Sequence, residues 1–129
     1  MIGFLRILTF IYILFSITTP AYTEEYPDDA DAYRRGQELA KSGVYFSAAS
    51  YYYENDKDMK QALEWVDKAV ANNPKAYWIV LLKAKIQVKL KDNKGANATA
   101  TQALALAKED QDDAYVKMAE KIIAETKGK

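Results

Sequence analysis

The side chains best equipped for chemistry crowd into residues 51–65, YYYENDKDMKQALEW. Glu54, Asp56 and Asp58 alternate with other residues directly after the tyrosines at 51–53. Paired carboxylates can divide the roles of general acid and general base, but only where their surroundings push the two pKa values apart. Turn formers and lysines surround this trio, and nothing near it supplies the apolar enclosure that would do so. NDKDMK also spaces its carboxylates like a calcium loop, yet lacks the central glycine and distal glutamate. Asp28, Asp29 and Asp31 read as helix capping and as favourable charges at a helix N-terminus, in preference to a metal loop. Gly95 in NKGA stands alone, without the companions of a phosphate-binding loop. Asn97-Ala98-Thr99 is a glycosylation sequon in form only, because it falls inside an expected helix. The chain has no histidine and no cysteine, which excludes imidazole bases, thiol nucleophiles and nearly all zinc or copper sites. The expectation is therefore no catalysis, no metal and no cofactor.

The totals agree with that direction. The 129 residues suit one domain. Eighteen basic and eighteen acidic residues cancel, so no electrostatic footprint for nucleic acid exists. Half the residues are apolar, ordinary for a globular chain.

The first 21 residues have the layout of a secretory signal peptide. Arg6 precedes an apolar run at 7–17, and small and polar residues surround Thr19 and Ala21, the expected cleavage site. The alternative is an uncleaved anchor, but the run is shorter than the roughly 20 apolar residues a spanning helix needs. A bacterial lipid anchor would need a cysteine. The expectation is a periplasmic or secreted chain, with residues 22–28 as linker and no stable membrane insertion after cleavage.

Residues 29–127 read as a helical domain. A first helix follows Pro27 and ends at Gly43 after Lys41. Residues 44–54 mix strand-favouring Val44, Tyr45, Phe46 and the tyrosines with the small residues 47–50. In DMKQALEWVDKAVANNP, Met59, Ala62, Leu63, Val66, Ala69 and Val70 fall on one helical stripe. AYWIVLLKAKIQVKLKD is apolar around much of its circumference and belongs in the middle of the fold. KGANATATQALALAKED is dense in alanine. DDAYVKMAEKIIAE closes the chain with a stripe through Tyr115, Val116, Met118, Ala119, Ile122 and Ile123. About six helices joined by short connections give an all-α fold.

Shifted by 34 residues, the chain matches itself: Lys57 meets Lys91, Asp58 meets Asp92, Lys60 meets Lys94, Ala62 meets Ala96 and Ala69 meets Ala103. A 34-residue period of paired helices resembles the tetratricopeptide repeat. Residues 43–76 carry Phe46, Tyr53, Ala62, Ala69 and Pro74 at the positions of that motif. Residues 77–110 keep Ala84, Ala96 and Ala103 but have Gln87 for the tyrosine and Lys108 for the proline. Residues 111–127 resemble a lone first helix acting as a cap. Alanines at 62 and 69 would let two helices approach closely, with Tyr53 filling the gap as a core residue. Trp65 is expected on the outside of the second helix. A rival register begins at YRRGQELAKSG, with Gly36, Gly43, Tyr45 and Ala48 in place. The 34-residue register is preferred because it accounts for both following helices, and it makes 44–54 helical.

A more specific resemblance is carried by AASYYYENDKDMKQALEWVDKAVANNPKAYW, DNKGA and DDAYVKMAEK. These are similar to the helical tail of exported Gram-negative bacterial proteins in which the tail follows a β-rich domain of unknown function. That β-rich domain has no counterpart in this sequence.

The tetratricopeptide resemblance implies a concave groove lined by first helices. Carried onto this chain, its positions are Tyr51, Glu54 and Asn55, then Trp78, Leu81, Lys85 and Lys89, then Asp112 and Tyr115. Aromatic anchors beside mixed charges suit a protein or peptide partner. Equally open is the reading in which Trp78, Leu81 and Tyr115 only pack. The functional expectation is a non-catalytic module for protein–protein interaction. The alternative is a purely structural or self-associating helical tail whose functional domain lies elsewhere or has been lost.

Overall fold

The computed structural model describes residues 29–41 and 43–129. The expected leader, the linker and the capping role of Asp28 lie outside the described residues. Among these, the protein is all-α: α1 (Asp29–Lys41), α2 (Tyr45–Glu54), α3 (Met59–Asn72), α4 (Tyr77–Lys89), α5 (Asn93–Glu109) and α6 (Asp113–Thr126). Each helix packs on the next, as in a helical repeat, and α4 also touches both α2 and α6. The helices α2, α4 and α6 therefore lie side by side.

Helix α4 has a different core on each side. Ile79, Leu82 and Ile86 join Ala48, Ala49, Tyr52, Ala62, Trp65 and Val66. Val80, Leu81 and Ala84 join the alanines of α5 together with Ala119 and Ile122. This is why its apolar residues run around the helix instead of forming one stripe. Close approach comes from alanine: Ala62 and Ala96 have no exposed surface, and Ala69 and Ala103 are buried with them.

Four of the five connections close alike. After α1, α2, α4 and α5, a residue with positive φ follows the helix: Gly43, Asp56, Lys91 and Gln111. The next backbone N–H then reaches back to the carbonyl of Leu39, Tyr52, Gln87 or Ala107, at 2.9–3.0 Å. These are Schellman motifs, which satisfy the last carbonyls of each helix. Only Gly43 announces one in sequence. The α3–α4 connection, which holds Pro74, closes differently, with Ala76 N–H donating to Asn73.

The next helix is capped at once. Asp58 accepts from the N–H groups of Lys60 and Gln61, Asp92 from that of Gly95, and Asp112 from that of Tyr115. Asp92 and Asp112 each do two jobs, the backbone closing one helix while the side chain opens the next. The α2–α3 connection runs from 55 to 58, one residue longer than the α4–α5 connection at 90–92.

That extra residue decides which tyrosine is core. In both helices the carbonyl that accepts the Schellman bond belongs to a buried residue, Tyr52 in α2 and Gln87 in α4. The 34-residue register pairs Gln87 with Tyr53 instead, because it does not see the insertion. Tyr52 is fully buried and Tyr53 only half-buried. The Tyr52 ring stands edge-on to Trp65, with centroids 4.7 Å apart, and edge-on to Tyr33 at 5.4 Å. Its hydroxyl accepts from Gln37. Trp65 is accordingly a core residue with 5% exposure, not an outer one. Gly36 is required here, since a Cβ on it would come within 2.2 Å of the Tyr52 ring. The rival register's Gly36 thus marks the place where α1 crosses α2.

Asp112 carries a third load, accepting a 3.0 Å hydrogen bond from the Tyr77 hydroxyl. Asp112→Ala is expected to cost about 1–2 kcal/mol through loss of the cap, measured by urea unfolding. Glu109→Ala, an exposed position on α5, should leave the midpoint unchanged.

Candidate functional site

The C-terminal halves of α2 and α4 and the middle and end of α6 enclose an open trough of about 440 Å³. Tyr53 of α2, Val88 of α4, and Met118 and Ile122 of α6 supply its apolar lining. Lys85 and Lys89 of α4 and Lys121 and Glu125 of α6 supply its charges. Helical geometry accounts for the grouping. Lys85 and Lys89 are four residues apart on one face of α4, and Met118, Ile122 and Glu125 follow one another at steps of four and three residues along one face of α6.

The three lysines differ in how far they are already committed. Lys89 donates to the Tyr53 carbonyl at 3.3 Å, pairs with Asp56, and holds its ammonium 4.5 Å from the centre of the Tyr53 ring. It ties α4 to the end of α2. Lys121 lies 3.9 Å from Glu125, with both side chains largely in solvent, a pairing that contributes little. Lys85 is half-buried and has no hydrogen-bond or ion-pair partner among the described residues.

Of the residues expected to line a groove, Lys85 and Lys89 are brought into this trough. Trp78 lies on the same face of α4, two to three turns away, 40% exposed and edge-on to Tyr77 at 5.1 Å. Leu81 is buried in the core shared with α5 and α6, so it offers no surface to a ligand. Tyr51 faces α1, its ring under the Arg35 guanidinium at 5.7 Å. Asn55 donates its side-chain amide to the Tyr51 carbonyl at 2.8 Å, and Glu54 is exposed.

Asp112 and Tyr115 belong to a different cluster near the start of α6. The Tyr115 ring is edge-on to Tyr77 at 5.0 Å. The Tyr77 phenol is held above its ordinary pKa, first by its hydrogen bond to Asp112, then by burial and by the negative charges of Asp112 and Asp110. The phenol stays protonated and keeps donating, so this cluster reads as a joint between α4 and α6.

Tyr53, Val88, Met118, Lys121, Ile122 and Glu125 were not among the expected groove residues. The sequence stripe through α6 already holds Met118 and Ile122, but the expected groove takes only Tyr115 from it. Tyr53 was hidden by the one-residue shift that exchanged its place with Tyr52.

Two other hollows are packing features. One lies beside Asn97, whose amide donates to the Ile123 carbonyl and the Thr126 hydroxyl, each at 3.1 Å, joining α5 to α6. The other, of about 230 Å³, opens at the start of α2 beside Val44 and Phe46. Among the described residues no three His, Cys, Asp or Glu side chains cluster to hold a metal ion, and no helix is long and apolar enough to cross a membrane. Comparison with family models, curated proteins and solved structures gives no match.

Proposed function

We propose that the protein is a non-catalytic helical interaction module of tetratricopeptide-like design, and that it takes a polypeptide segment in the trough between α2, α4 and α6. The observation that supports this most directly is the trough itself, an open apolar surface bordered by charges and built by three helices. An apolar centre within a polar margin is the usual anatomy of a protein-recognition surface. In the same reading the leader-like residues 1–21 direct the chain to the periplasm or out of the cell.

The test is retention of partners from a periplasmic extract by the protein and by a Lys85→Glu, Lys121→Glu variant with the same circular dichroism. A partner retained by the parent and by Glu109→Ala, but lost by the trough variant, is the expected result. Identical retention by all three contradicts the proposal. A mass that rises with concentration in light scattering, and that the trough variant abolishes, would instead make a second copy the occupant.

A further inference from the structure

We infer that the segment taken by the trough is acidic, with carboxylate side chains flanking an apolar residue that enters between Tyr53, Val88 and Ile122. The inference rests on the interaction reading above and concerns the chemistry of the occupant.

The argument is one of charge left unmatched. The chain as a whole is neutral, yet three of the four charged residues lining this surface are lysines. Asp56 already occupies Lys89, and Glu125 lies at the edge of contact with Lys121. Lys85 remains half-buried with no anionic partner among the described residues. Covering it with an apolar or basic surface would strip water from an ammonium and return nothing, which is costly. Covering it with a carboxylate replaces that water by a charge-assisted hydrogen bond. Lys121, one helix away across the same apolar lining, offers a second site for an acidic residue on the other side of the anchor. The floor fixes the remaining requirement: Val88, Met118 and Ile122 have no polar side-chain group, so the residue between the carboxylates is apolar.

The probe is a random dodecapeptide display library, selected on the parent protein and on the Lys85→Glu, Lys121→Glu variant. Peptides selected on the parent should carry Asp or Glu on either side of an apolar residue. The charge-reversed variant should select Lys or Arg at those places. A resynthesised parent-selected peptide should bind Lys85→Gln about tenfold more weakly, as loss of one charge-assisted hydrogen bond implies, and should weaken further as salt rises. Lys85→Gln keeps the length and most of the polarity of the side chain, so it guards against a folding artefact in the double variant. Selection of peptides without acidic enrichment, or of the same peptides by both proteins, overturns this inference and leaves the interaction reading standing. Failure of the parent to select any peptide overturns both, whereas acidic peptides selected on the parent alone support the inference.

Discussion

Tyr52→Ala is expected to lower the free energy of unfolding by about 3–5 kcal/mol, the range for removing a fully buried aromatic ring. Tyr53→Ala, one residue away, should cost roughly 1–2 kcal/mol, from partial burial and loss of the Lys89 cation–π contact. The contrast follows from geometry. Tyr52 has no exposed surface and lies between Tyr33 and Gly36 of α1 and Trp65 of α3. Its removal leaves a cavity between three helices, which a backbone held by Schellman closures cannot easily collapse. Tyr52→Phe should recover nearly all of the loss, because the hydroxyl contacts at 3.3 and 3.4 Å are long. Urea midpoints for the three variants decide the matter. Equal effects at 52 and 53, or a larger one at 53, would contradict the buried position assigned to Tyr52.

The second large effect is expected from overfilling the helix contacts. Ala62→Leu and Ala96→Leu should each destabilise by about 1–3 kcal/mol, because neither alanine exposes any surface. They sit in different cores on opposite sides of α4, so their effects should nearly add. The double variant would then lose about 2–6 kcal/mol, a large part of the roughly 5–15 kcal/mol typical of a domain. Ala98→Leu, exposed on α5, is the matched control and should melt like the parent. Thermal unfolding followed by circular dichroism distinguishes the outcomes. If Ala62→Leu and Ala96→Leu also melt like the parent, alanine does not set the helix spacing.

Much of this fold is legible in the sequence where periodicity is strong. Ala62, Val66 and Ala69 mark the buried side of α3, and the unbroken apolar surface of α4 announces neighbours on two sides. The helical state of 45–54 follows from its repeat context, although Val44, Phe46 and the tyrosines favour strand. What escaped is local. A 34-residue shift cannot reveal an extra residue in the α2–α3 connection, so it assigns Tyr53 the place that Tyr52 holds. Three left-handed closures use Asp56, Lys91 and Gln111, which carry no glycine signal. Trp65 looks like an outer residue until Tyr52 is known to point at it.

The candidate site was legible on α4 and poorly elsewhere. Lys85 and Lys89 share a face with Trp78 and were found together. Leu81 is rotated far enough around α4 to fall into the core, and a motif carried over by position has no means of sensing that rotation. The α6 residues were missed because the expected groove stopped at Tyr115, whereas the open surface lies at the other end of that helix.

The most direct test of the trough is an amide chemical-shift titration of the protein with a peptide that it selects. The account predicts the largest shifts at Tyr53, Lys85, Val88, Met118 and Ile122, with little change at Trp78 or along the exposed side of α5. Shifts centred on Trp78 and Tyr115, or spread over α3 and α5 while the trough stays silent, would contradict it.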